Sequence, residues 1–153
     1  MRKAARWRYL APMTSGPRYP AFDGASPEAV DDARLDAPAF HRNASPIMEA
    51  LTPRLGGEAG DLLEIGSGSG QHAVWLAQSF PALAYWPTDP NPAHRASVDA
   101  WVAHLGVSSV RAALDLDAAS ANWRSILGAQ APRFRAVLSC NVIHIAPWSV
   151  AQG

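Results

Sequence analysis

Apolar residues in this chain gather into short runs separated by glycine, proline and polar residues. The run at 61–65 is continuous rather than alternating, the pattern of a strand buried on both faces. Residues 84–89 predict a second strand, with Pro87 at a position whose backbone N–H is not needed. Residues 109–116 and 135–142 predict a third and a fourth, the last built on Ala136, Val137 and Leu138. Helical spacing appears between the strands. Ile47, Leu51 and Leu55 predict a helix capped by Ser45, with Pro46 in its first turn and Gly56-Gly57 at its end. Residues 36–43 ahead of it read as an irregular polar segment. A second helix runs from Gln71 to Phe80. A third starts at Asn91-Pro92, carries Val98, Trp101, Val102 and Leu105 on one stripe, and ends at Gly106. A short helix is predicted around 119–127. Strands alternating with helices predict an α/β fold: a Rossmann-like parallel sheet with flanking helices and right-handed crossovers, the four strands in the order 3-2-1-4.

The junction after the first strand reads Glu64-Ile65-Gly66-Ser67-Gly68-Ser69-Gly70-Gln71. Glycine at every second position between a strand and a helix allows a backbone to approach a ligand closely. The register separates cofactors. A dinucleotide fingerprint needs glycine where Gln71 stands, and a phosphate loop needs lysine after its last glycine, whereas the only lysine is Lys3. A nucleophile elbow needs glycine two residues before its serine, which neither Ser67 nor Ser69 has. The remaining pattern, acid-x-G-x-G-x-G, resembles the first motif of class I S-adenosylmethionine-dependent methyltransferases. The competing reading is a glycine loop with no ligand.

Polar residues close the other strands. Asp89 ends the second and can accept from both hydroxyls of a ribose; Asp115 ends the third and can accept from an adenine amine; Asn141 ends the fourth on the same rim. Each aspartate can alternatively be a simple helix cap. A cationic methionine end suits Glu64 better than a diphosphate does, which disfavours a nicotinamide oxidoreductase. Cys140 reads as a nucleophile or a small core residue, His144 as a base or a loop hydrogen bonder, and Trp148 as a pocket wall or a cover for the core.

Composition changes little. With 153 residues, 48% hydrophobic and 17% charged, the chain has the make-up of one soluble globular domain. A formal net charge of zero favours neither nucleic acid nor an anionic membrane, and one cysteine excludes an internal disulfide and any cysteine-based metal cluster. No apolar run spans a bilayer, so the default location is cytoplasmic. Residues 1–35 are basic at first, then acidic, without periodicity; they read as a disordered extension, with a transit peptide or a true start at Met13 as alternatives.

Arg42-Asn43 with Pro46-Ile47, the segment from Leu63 to His72, and the segment from Asn141 to Ser149 are together similar to the methyltransferase-like 26 type family, a domain of unknown function. The resemblance runs from about Arg34 to the last residue. It implies S-adenosylmethionine as cofactor, with Glu64, Gly66, Ser67, Gly68 and Gly70 at the methionine end. Asp89 would hold the ribose, Asp115 the adenine, and Asn141 the rim. His144 and Trp148 are candidate substrate contacts, and no metal is implied. The acceptor would be a small molecule or a protein. A seven-stranded relative would continue beyond the fourth strand, so the resemblance also implies missing C-terminal strands, an open edge prone to self-association, and a fragment that is weakly active or inactive. A non-catalytic binding or interaction module is the alternative.

Overall fold

A computed structural model describes residues 28–29, 32–128 and 131–152. Two short strands, β1 (Glu28–Ala29) and β2 (Leu35–Asp36), pair antiparallel ahead of helix α1 (Pro38–Leu55). Then come β3 (Gly60–Ile65), α2 (Gln71–Ser79), β4 (Leu83–Thr88) and α3 (Pro92–Leu105). The chain closes with α4 (Trp123–Ile126), β5 (Phe134–Leu138), a 3-10 turn at Val142–His144 and α5 (Trp148–Gln152). The main sheet is small, open and parallel, in the order β4-β3-β5, and is flanked by helices. Most of the expected disordered extension, residues 1–27 and 30–31, lies outside the described residues.

The α/β class therefore holds, and the four-strand order needs correction. Residues 109–116 make only two isolated parallel bridges to β4, Tyr85 with Val110 and Thr88 with Leu114. Pro87 explains the break. Tyr85, Pro87 and Asp89 turn their backbone groups toward this segment: Tyr85 N–H donates to Ser109 at 2.8 Å and Asp89 N–H to Leu114 at 3.1 Å. Pro87 sits between them and has no N–H to give. From Tyr85 to Thr88 is three residues, whereas from Val110 to Leu114 is four, so the outer segment carries one extra residue opposite the proline. Ala113 N–H is taken instead by the Asp99 carboxylate at 3.0 Å.

Helix α1 is longer than expected. It begins at Pro38 with Ala37 as its cap residue, so Ser45 and Pro46 lie inside it, as does Pro53. Each interior proline costs a helix about 3 kcal/mol. Packing on one face offsets this: Phe40 and Leu55 are buried, and Ile47, Met48 and Leu51 lie against the core. That core collects on the sheet face carrying Leu62 and Tyr85, under α1, α2 and α3. The opposite face, with Leu63, Trp86 and Val137 in register, is open at its β5 edge, where Val137 is 64% exposed. The short helix expected over 119–127 is only the four residues of α4, and β5 stops at Leu138 rather than at 142.

Residues 34–37 form a strap across the start of α2 and the middle of α3. Leu35 N–H donates to Ser97 Oγ at 2.8 Å, and Trp101 Nε1 donates to the Leu35 carbonyl at 3.0 Å. The Arg34 guanidinium stacks 4.9 Å over the Trp101 ring. Ala37 N–H donates to Gln71 Oε1 at 2.7 Å, and Gln71 Nε2 donates to Asp36 Oδ1 at 2.8 Å. Gln71 is 1% exposed, so these bonds form in a dry environment where losing them is expensive. Replacing Gln71 by leucine strands Ala37 N–H, while Asp36 Oδ1 keeps its contact with His41 Nε2 at 2.6 Å. Gln71→Leu is expected to lose about 2 kcal/mol of stability, read by urea denaturation.

Candidate functional site

The turn between β3 and α2 is fixed by the end of β4. Gly66 and Ser67 N–H both donate to the Thr88 carbonyl, each at 2.9 Å. Thr88 returns a hydrogen bond from its hydroxyl to the Glu64 carbonyl at 2.7 Å, and its N–H donates to Ser67 Oγ at 3.1 Å. Gly66, Gly68 and Gly70 all have positive φ, as the alternating spacing requires. Their surroundings differ. A Cβ on Gly66 would meet Val142 Cγ2 at 2.5 Å, and one on Gly70 would meet Val98 Cα at 2.6 Å. At Gly68 nothing lies within 4 Å. Gly66 and Gly70 thus serve close packing, and Gly68 faces open space. The strap reaches this turn as well: Ser69 Oγ donates to Gln71 Oε1 at 3.0 Å, and its carbonyl accepts from Ser97 Oγ at 2.7 Å.

Glu64 lies under the turn at 2% exposure, and its Oε2 has no hydrogen-bond partner. Burial raises its carboxyl to about 7; a hydrogen bond with Ser67 opposes the rise and the charge of Asp89 adds to it. Two other titratable groups are near Glu64. Tyr85 is fully buried with an unpartnered hydroxyl, held protonated by burial and by Glu64; burial and Glu64 also push the Cys140 thiol up to about 12. A thiol held protonated is a poor nucleophile, and Cys140, beyond the end of β5, is half-buried rather than a core residue.

Asp89 is 5% exposed and already engaged. Its Oδ2 accepts from Gly68 N–H at 2.9 Å; its Oδ1 accepts from Asn91 N–H at 2.9 Å and lies 3.1 Å from His94 Nδ1. Burial raises its pKa, but hydrogen bonds from His94, Asn91 and Gly68 outweigh burial and leave it below the usual value. Asn91 caps α3 by accepting from Ala93 N–H at 2.9 Å. Arg95 Nη1 bridges outward, donating to the carbonyls of Asp89 and Pro90 at 2.9 and 2.8 Å and lying 3.2 Å from Asp115 Oδ1.

The structure thus joins Glu64, Ser67, Gly68 and Asp89 directly, and Asp115 through Arg95. The Asp115 side chain is 70% exposed. Asn141 does not end a strand; it stands at φ +62° before the 3-10 turn whose Val142 touches Gly66. His144 is exposed and Trp148 is 68% exposed; among the described residues no hydrogen bond or ring contact ties either to the glycine turn. Four residues went unread as site members: Gln71 as a structural tie, Ser97, His94 and Arg95. His94 and Arg95 carried a signal, since polar residues in the first turn after a strand-ending acid can fold back over it. His72 is similar: its Nε2 is buried without a partner beside Phe40 (ring centroids 5.0 Å apart), and burial lowers its pKa to about 4. Among the described residues, no group of three or more His, Cys, Asp or Glu side chains could hold a metal ion, and no helix is long and apolar enough to cross a membrane.

The unequal glycine environments can be tested. Gly68→Ala meets only the cost of left-handed backbone, about 1 kcal/mol. Gly70→Ala adds a collision between α2 and α3, and is expected to cost about 3 kcal/mol. Thermal melting should therefore rank Gly70→Ala well below Gly68→Ala.

A strand, an alternating glycine turn, a buried acid beneath it and a second acid hydrogen-bonded to it lie within one family's boundaries. The model of the family described as "Protein of unknown function (DUF938)" matches residues 34–153, starting at the first residue of the strap. The chain belongs to this family of unknown function.

Proposed function

We propose that this protein binds S-adenosylmethionine through the glycine turn and acts as a methyltransferase on a small-molecule or protein acceptor. The observation that carries the reading is Glu64. Burial disfavours the ionised form of Glu64, whose Oε2 has no hydrogen-bond partner among the described residues, so a cationic group brought to the turn would stabilise the carboxylate. A cationic ligand end does so, and a diphosphate does not. Gly68, with open space where a side chain would be, leaves room for a close approach. These residues fit the group: Glu64 and the turn from Gly66 to Gly70 would hold its methionine end, Asp89 its ribose, and Asp115 with Arg95 the outer rim. The bound cofactor supplies an electrophilic methyl group. The chain's part is to orient and to exclude water, and a nucleophilic acceptor atom aligned with the methyl group needs no dedicated base.

Gln71 argues against a nicotinamide dinucleotide. It stands where that fingerprint has its third glycine, and it is committed to Ala37, Asp36 and Ser69. A second reading, a non-catalytic module, draws on Asp89, whose hydrogen bonds to Gly68 and Asn91 are those of a structural cap.

Two outcomes test the proposal. Titration calorimetry is expected to show binding of S-adenosylhomocysteine and none of NAD; equal heats for NAD reverse the assignment. The second outcome uses pH. A cationic ligand favours ionised Glu64 and so lowers its pKa from about 7 in the free protein. Binding then releases a proton, affinity rises with pH up to about 7, and it levels off above. Glu64→Gln is expected to weaken S-adenosylhomocysteine binding and to remove that part of the pH dependence.

A further inference from the structure

His94 sits on the acid that the proposed function assigns to a ribose. Asp89 Oδ1 has two neighbours, Asn91 N–H at 2.9 Å and His94 Nδ1 at 3.1 Å, whereas Oδ2 has only Gly68 N–H at 2.9 Å. A vicinal diol bound by a carboxylate presents one hydroxyl to each oxygen, so it needs a free acceptor position on both. Oδ2 offers one. Oδ1 offers one only if His94 withdraws, because the Asn91 N–H belongs to the backbone and cannot leave without unwinding the start of α3. The His94 side chain is 29% exposed, so it has solvent to move into, and it stands on the first turn of α3 with Nδ1 3.1 Å from the acid. Its Nδ1 is buried and, among the described residues, has no partner in hydrogen-bond geometry, so closeness and charge rather than a well-aimed bond hold it at Asp89.

We infer that His94 is a specificity-determining residue: it fills the place of one hydroxyl on Asp89 and yields it to a ligand with a vicinal diol, while a ligand with a single hydroxyl does not displace it. This rests on the nucleoside reading of Asp89 and adds a proton to it. Charged groups around the pair are few. Asp89 faces His94 from the end of β4, Glu64 acts on Asp89 from β3, and Arg95 binds the Asp89 and Pro90 carbonyls and reaches Asp115. Asp89 raises the pKa of His94, which its partial burial opposes. A diol that takes Asp89 removes that support, so the pKa of His94 falls on binding and a proton leaves. Affinity for the diol is therefore lowest in acid, rises as pH passes through the raised pKa of His94, and is flat above it.

The test uses adenosine, which has the diol but no cationic end and so leaves Glu64 out of the measurement, with 2′-deoxyadenosine as the single-hydroxyl control. Calorimetry from pH 5.5 to 8.5, in two buffers of different ionisation enthalpy, is expected to show adenosine affinity rising about tenfold with proton release. His94→Gln should bind adenosine with a flat pH profile. Deoxyadenosine should bind more weakly, with no proton released. A separate NMR titration should place the His94 pKa above that of a free histidine, and return it to normal in Asp89→Asn. A pH-independent adenosine affinity in the wild type, or the same pH profile in His94→Gln, overturns the inference. Binding of adenosine with the expected profile but no binding of S-adenosylhomocysteine sustains the role of His94 and defeats the methyltransferase reading. The reverse pattern, S-adenosylhomocysteine bound with identical pH dependence in the wild type and in His94→Gln, defeats the role of His94 alone.

Discussion

Two amide groups converge on one carbonyl. Gly66 and Ser67 both donate to Thr88 at the end of β4, and almost everything in the site is positioned by that convergence. It welds the turn leaving β3 to its neighbour strand, so the sheet and the start of α2 behave as one piece. It also sets where Asp89, the next residue, must stand: directly beside Gly68, whose N–H it accepts. Thr88 completes the weld from its side chain, returning a bond to the Glu64 carbonyl. Backbone amides paired in this way are hard to lose one at a time, since each lost bond leaves a buried polar group unsatisfied.

On that frame sit two acids with opposite tendencies. Glu64 is pushed toward its neutral form by burial, while Asp89 is held ionised by the donors around it. They act on each other, and each has a different relation to the outside. Asp89 has internal partners for both oxygens, and Glu64 leaves one oxygen bare. Divergent environments for two nearby titratable groups are a recurrent mark of functional sites. The neighbouring Tyr85 hydroxyl and Cys140 thiol are both held protonated, so Asp89 is the charge that acts on Glu64.

How much of this was legible beforehand depends on range. The apolar run at 61–65 and the glycine alternation are local signals, and they led correctly to a buried parallel strand and a turn of positive φ. Pro46 misled because a proline after serine is a common helix start, yet here Pro38 has that place and Phe40 extends the packed face backwards. Residues 109–116 read as a strand by composition, but strand formation depends on the partner, and the partner offers a proline. Asp89 was legible as an acid at the end of a strand; its bond from Gly68 was not, since Gly68 is twenty-one residues away, while Asn91 and His94 were close enough to be read. Gln71 is the extreme case. Its sequence position excluded a dinucleotide fingerprint, while its ties to Ala37 and Asp36 reach back 34 and 35 residues.

Pro87 has a further consequence, for how the chain tolerates change. The missing donor and the extra residue in the segment opposite are two halves of one arrangement. Beyond the last bridge at Leu114, Leu116 is 1% exposed while the Asp115 side chain lies open to solvent. Deleting one residue from 111–113 would leave the span between the bridges at Val110 and Leu114 equal to that between Tyr85 and Thr88, and would remove the slack opposite the proline. The proline and the longer span opposite it are thus coupled, and a change to either alters what the other must accommodate.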